Sequence, residues 1–218
     1  MWFEKPPRTR DWSEGLRFLR RADPVMAKII QRVGPCTLAP RRDYFVVLCK
    51  SIYTQQISTR IATILFNRFR DQFPQRRPTP ARVLELLDGR PAGDELVKRV
   101  GLSRQKRAYV CDLSQRFLDG SIPTRRFASM SDDEIIESLT EVNGIGRWTA
   151  EMFLIFVLNR PDVWPVDDLG LREAYRIAYK LRERPKPREL IEMGERFRPW
   201  RTVATWYLWR SLAPAGRK

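Results

Sequence analysis

The sequence predicts an all-α fold, and three observations carry that expectation. No segment of the 218 residues sustains the apolar–polar alternation of a half-buried strand, and strand-hairpin signals are missing. Apolar residues recur instead at helical spacing, as at Ile135, Leu139 and Val142. Start and stop signals also come in helix-length pairs. Asp23-Pro24 is a cap followed by a proline at the first helical position, and Gly34-Pro35 closes that segment. Ser131 stands at capping-box spacing from Glu134, and Asn143-Gly144-Ile145-Gly146 ends the run that follows.

Taken in order, residues 1–10 form a basic, proline-bearing arm. Residues 12–22 and 24–33 read as helices. Residues 44–53 are apolar on most sides; the pattern would suit a strand, but helical neighbours favour a buried helix. Gln55-Gln56-Ile57-Ser58 interrupts, and a helix resumes over 59–69. After the linker Arg76-Arg77-Pro78, Thr79-Pro80 opens a short helix to Leu87. Segments 94–100 and 103–118 flank Gly101-Leu102, a small hairpin with Arg104, Lys106 and Arg107 just beyond it. Gly120 closes that helix and 121–129 is a connector.

The central stretch is 131–170. It reads as a helix, a glycine hairpin whose two glycines favour a tight reversal with positive φ, and a second helix from near Arg147 with Phe153, Phe156 and Val157 on one side. Pro161 and Pro165 end the second helix and shape a loop that delivers Asp167 and Asp168. Helices over 171–181, 188–197 and 200–211 complete a single all-α domain spanning 11–213, with 214–218 as a tail.

Composition bounds the function. Forty-one basic residues against twenty-six acidic ones leave +15, an excess that points towards polyanions. The chain has no histidine, which excludes His-based catalysis and His-containing metal sites. Cys36, Cys49 and Cys111 match neither a disulfide framework nor zinc spacing, so buried thiols in a reducing compartment are expected. No apolar run approaches a membrane span, and MWFEKPPRTR lacks the apolar core of a secretion signal.

The hairpin itself is chemically informative. Its glycines leave backbone N–H groups uncovered at a helix start, where they bind a phosphate without help from side chains, and Arg147 adds a cation. Asp168, at the start of the next helix, reads either as a plain N-cap or as a reactive carboxylate; Asp167 is a second candidate for the cap.

VNGIGRWTAEMF, followed by a proline-containing loop that ends in an aspartate, resembles the helix-hairpin-helix superfamily of DNA glycosylases. GRWTAEMFLIF, RPDVWPVDDLGLR and RPWRTVATWYLWRSL resemble its 3-methyladenine DNA glycosylase II group, and RVGPC, TQQIS and GLSRQKRAYV extend the likeness over most of the chain. The resemblance implies two helical lobes with the active-site cleft between them, no N-terminal β domain, and a hairpin motif over 131–158 with a catalytic loop over 161–170. It implies Asp168 as the catalytic carboxylate and a base pocket drawn from Trp148, Trp209, Met152 and Tyr53. Trp206 and Tyr207 read rather as core. Gln55, Gln56, Ser58, Gly144, Ile145, Gly146, Arg147 and Thr149 are the expected DNA contacts. Gln56 is the wedge candidate for the gap left by a flipped nucleotide, although two glutamines at a helix junction also satisfy backbone groups. Lys106 is the phosphate candidate of the second hairpin, the alternative being a solvated basic face.

Lyase-competent relatives place a lysine where this chain has Trp148, so hydrolysis by water without strand cleavage is expected. No cofactor is expected: no cysteine follows Cys111 to ligate the iron–sulfur cluster of some relatives, and zinc has no ligand set. The resemblance allows a monovalent cation at the backbone carbonyls of Thr140, Val142 and Ile145. The partner expected is double-stranded DNA containing alkylated bases, met by a monomer in a bacterial cytoplasm or a eukaryotic nucleus. Three functions remain open: an alkylbase glycosylase, a glycosylase for deaminated or oxidised bases, and a non-catalytic DNA-binding module.

Overall fold

The computed structural model describes residues 10–87 and 91–213. Of the basic arm only Arg10 falls within them, and the 214–218 tail lies outside. The described residues contain helices and no strand. The chain divides into two compact units, one running from Arg42 to Ala150 and the other combining the residues before and after it.

The second unit begins with α1 (Ser13–Ala22) and α2 (Pro24–Val33), which pack on each other. Asp23 caps α2 as expected, its Oδ1 accepting the N–H groups of Val25 and Met26 at 2.9 and 2.8 Å. It is nearly fully buried, and Arg196 supplies the counter-charge at 3.2 Å.

The first unit holds α3 (Tyr44–Thr54), α4 (Thr59–Arg70), α5 (Pro80–Leu86), α6 (Pro91–Arg99), α7 (Arg104–Leu118) and α8 (Asp132–Thr140). The 44–53 run is helical, not extended. It buries Phe45, Leu48 and Ile52, and α3 packs against α4 and α7. Helix α6 starts earlier than expected because Pro91, not Asp94, opens it. The capping box of α8 is complete, Ser131 and Glu134 bonding reciprocally, and those bonds hold the Glu134 carboxyl below the usual range. Ile135, Leu139 and Val142 are buried, as their spacing requires.

Helix α9 (Arg147–Phe153) starts in the first unit and runs on as a π-helical segment, Leu154–Leu158, in the second. Its stop is a correction. Asn159 ends the helix in the left-handed conformation (φ 53°), its side-chain amide donating to Ile155 O at 2.8 Å, before either proline is reached. In the second unit, α10 (Leu169–Ala178), α11 (Pro187–Gly194) and α12 (Arg201–Ser211) follow. Helix α10 begins and ends earlier than expected, with Lys180 at φ 56° just beyond it. Helix α12 packs against α2 and α10 and buries every residue from Thr202 to Leu208, including Trp206 and Tyr207. A helix covered on all sides needs no polar face, which is why its sequence shows no stripe.

Candidate active site and nucleic-acid interface

In the first unit the hairpin between α8 and α9 is tight. Gly144 has φ 85°, and a Cβ there would collide with the Tyr109 ring, so both backbone and packing require glycine. Gly146 is not in the left-handed region, and a Cβ on it would meet nothing within 4 Å. Its lack of a side chain keeps the space before α9 open. The first backbone bond of α9 runs from Ala150 N–H to Gly146 C=O at 3.1 Å, so the amides at the helix start project along its axis.

Ile145 does not join that set as expected. Its side chain is buried and its N–H donates to Val142 O at 3.0 Å, closing the turn. Thr149 is also buried and can reach a strand only through its main chain. Arg147 stands exposed, with Asp133 at 3.9 Å. The hairpin is anchored from α7, where Asp112 Oδ2 accepts the N–H and the side-chain amide of Asn143 at 2.7 and 2.9 Å.

The α3–α4 junction lies in the same unit. Gln56 is exposed and left-handed (φ 60°), a conformation costly for a residue with a Cβ. Ser58 caps α4, accepting Ile61 N–H at 3.4 Å. Gln55 turns its amide to Gly144 O at 2.6 Å. Lys106, the phosphate candidate of the second hairpin, donates its ammonium to the carbonyls of Tyr53 (2.9 Å) and Gln55 (2.7 Å). Those carbonyls end α3, where the helix dipole favours a cation.

In the second unit the loop after α9 is built to place Asp168. Asp162 takes a forked pair of bonds from Arg201 (2.7 and 2.9 Å) and one from Arg198 (2.9 Å). The buried Thr202 hydroxyl donates to Arg160 O at 2.5 Å and accepts Val163 N–H at 2.9 Å. A turn from Pro165 O to Asp168 N (3.0 Å) then delivers the carboxylate. Asp168, not Asp167, caps α10: Oδ1 accepts Leu171 N–H at 2.5 Å. The same oxygen accepts the indole N–H of Trp209 at 2.8 Å. Trp209 stacks on Phe156, centroids 5.6 Å apart at 19°. Asp168 is half-buried and Asp167 exposed.

The four aromatic and apolar residues expected around the base differ in environment. Trp148 is 45% exposed and Trp209 half-buried, so neither is a core residue. Met152 is buried in the second unit. Tyr53 is a correction: its ring packs against Phe66 and Phe69, each at 5.3 Å, with 1% of its surface exposed. Its hydroxyl is buried without a partner, and that burial pushes the phenol pKa well up. Cys36, Cys49 and Cys111 are free thiols, and burial raises all three. Among the described residues, no group of three or more Cys, Asp or Glu could hold a metal, and no helix is long and apolar enough to cross a membrane.

Sequence reasoning missed Tyr109, Asp112, Asp162 and Gly170. Only RPDVWPVDDLG carried a signal, since an acidic residue between prolines before a carboxylate pair is unusual. Among the described residues, the first unit thus holds a helix–glycine hairpin–helix motif and the second a pinned N-cap carboxylate.

Residues 49–199 match the family described as HhH-GPD superfamily base excision DNA repair protein. The chain is 34% identical over 192 residues to DNA-3-methyladenine glycosylase 1 of Schizosaccharomyces pombe, covering 85% of this chain and 80% of that one. Among solved structures, the 3-methyladenine DNA glycosylase Mag1 of that yeast, in complex with abasic DNA, matches at a TM-score of 0.77 and 32% identity, over 94% of this chain and 100% of the other. A DNA-3-methyladenine glycosidase from Bacillus halodurans matches at 0.78 and 30%, over 93% and 89%. The chain belongs to the HhH-GPD superfamily of base excision DNA repair proteins.

Proposed function

We propose that this chain is a monofunctional DNA glycosylase that removes alkylated bases, of the 3-methyladenine and 7-methylguanine class, from double-stranded DNA. The observation that carries the reading is Asp168: a half-buried carboxylate fixed by a backbone N–H and an indole N–H. Relatives across the matched length are named 3-methyladenine glycosylases, which gives that carboxylate its reaction.

A stacked base hides its glycosidic bond, so the nucleotide must first be turned out, at a cost of a few kcal/mol that is lowest at damaged positions. Gln56, presented at the loop tip, is the residue proposed to fill the gap. The amides of Gly146 and of the start of α9, with Arg147, hold a phosphate meanwhile. Bond breaking builds positive charge on the sugar. A carboxylate at ~4 Å, with an effective dielectric of ~20, stabilises that charge by roughly 4 kcal/mol, on the order of a thousandfold in rate. The C1′–N bond breaks with its electrons going to the base; water oxygen bonds to C1′ and its proton leaves to solvent. A base that already carries positive charge departs neutral and needs no general acid.

Electron-rich faces suit such a base through cation–π attraction, and Trp148 and Trp209 offer them. An indole at 148 cannot form a Schiff base, so the product is an abasic site with the strand intact. The chain's own groups supply every step, and no cofactor is proposed. The groups that would hold a monovalent cation are the carbonyls of Thr140, at the negative end of α8, Val142 and Ile145. Val142 already accepts from Ile145 N–H at 3.0 Å and keeps a second lone pair. The cation would add positive charge beside the phosphate. The proposed place of action is wherever the genome lies.

The test is base release from methylated duplex DNA by wild type and Asp168→Asn. Asparagine caps helices as well as aspartate, so the variant keeps its fold and loses the charge. Free 3-methyladenine from the first, with a loss on the order of a thousandfold in the second, is expected. Activity retained by the variant overturns the mechanism.

A further inference from the structure

One face of α7 grips two loops at once. Lys106, Tyr109, Asp112 and Arg116 recur at helical spacing along it. At one end Lys106 donates to the carbonyls of Tyr53 and Gln55 at 2.9 and 2.7 Å. Further along, Tyr109 abuts Gly144, and Asp112 accepts both N–H groups of Asn143. Arg116 continues the row, bonding Asp112 at 3.3 Å and Glu141 at 3.0 Å. Gln55 closes the circuit by donating to Gly144 O at 2.6 Å. A carbonyl partner requires the nitrogen of that amide, so its orientation is set by chemistry.

We infer that Lys106 and Gln55 are positioning residues for base extrusion. They hold the loop that presents Gln56 in fixed register with the hairpin that grips the phosphate. The inference rests on the glycosylase reading above. Gln56 sits in the left-handed backbone region, costly for a residue with a Cβ, which an untethered loop would relax. The ties on either side, Gln55 O to Lys106 and the Ser58 cap on α4, resist that relaxation. A wedge and a phosphate anchor that must meet one duplex together gain from such a link, because misplacement by about 1 Å can cost on the order of a hundredfold in rate.

The alternative role for Lys106, direct neutralisation of a phosphate, has a different signature. The variants are Lys106→Met and Gln55→Met, alone and together; Gln55→Met leaves the α3 end tied and carries the test if the lysine variant fails to fold. Amide hydrogen exchange on the DNA-free protein is expected to quicken in both 56–58 and 143–146 in each variant. The slope of log affinity against log salt for undamaged duplex is expected to stay at the wild-type value, since no phosphate contact is lost. Extrusion, read by 2-aminopurine fluorescence, is expected to fall about tenfold, with the double variant no worse than either single one. A salt slope shallower by about one, unchanged exchange in the hairpin, or losses that simply add would overturn the inference. Exchange and salt slope require no catalysis, so they stand apart from whether the wild type releases methylated bases.

Discussion

Trp209 and Asp168, forty-one positions apart in sequence, are joined by an indole N–H donated to Oδ1 at 2.8 Å. That oxygen also takes Leu171 N–H, so donors from α10 and α12 together set the plane of the carboxylate. The sequence offered Trp209 only as a ring for the base. Trp209→Phe separates the two roles, because phenylalanine keeps a stack on Phe156 and removes the donor. Single-turnover excision is expected to fall about tenfold, roughly 1.4 kcal/mol, and thermal stability by about 1.5–3 kcal/mol for a bond to a charged group. An unchanged rate would show that the bond does not position Asp168.

Gly170 lies beside the same pair. A Cβ on it would stand 3.1 Å from Asp168 Oδ1 and 3.5 Å from Trp209 Nε1. Gly170→Ala is therefore expected to slow excision several-fold by crowding the carboxylate. The first turn of α10 gains helix propensity from the same change, worth up to about 1 kcal/mol. Slower chemistry with an equal or higher melting temperature is the expected pattern; loss of both would mean that the site cannot yield without unfolding α10.

Tyr53 decides a different question. Its hydroxyl is buried without a partner inside an aromatic cluster. Removing an unsatisfied buried group recovers its desolvation cost, about 1–3 kcal/mol. Tyr53→Phe is expected to melt at the same temperature or higher and to excise at the wild-type rate. A slower variant with unchanged stability would return the hydroxyl to the base pocket.

What the sequence made legible is local. Ser131 with Glu134, Asp23 before Pro24, and Asp168 before α10 each satisfy helix-start N–H groups a few residues away, so type and spacing suffice to read them. What it concealed is set by distant parts of the chain. Nothing near Lys106 in sequence says that its ammonium will find the end of α3, and a lysine after a glycine hairpin reads equally well as a phosphate contact. Gly144 and Gly146 look alike in the string, yet one is demanded by φ and by the Tyr109 ring, while a Cβ on the other would meet nothing within 4 Å. Asn159 stops α9 ahead of Pro161 because its side chain bonds back to Ile155 O, a competition that proline counting does not weigh.

Gln56 carries the clearest opposition between stability and function. Its left-handed backbone costs a non-glycine residue roughly 1–2 kcal/mol, and its side chain is exposed. Strain kept at an exposed position is what a residue serving a partner would show. Gln56→Gly relieves the strain and deletes the side chain, but glycine also gives the unfolded chain extra entropy worth about 0.5–1 kcal/mol. The net gain in stability is therefore expected to be about 1 kcal/mol or less. Excision from duplex DNA is expected to fall at least tenfold, while the rate on single-stranded methylated DNA, which has no stack to leave and no gap to fill, stays near that of wild type. Equal losses on both substrates would place Gln56 in substrate binding at large, and no loss on either would leave the wedge to another residue of the junction.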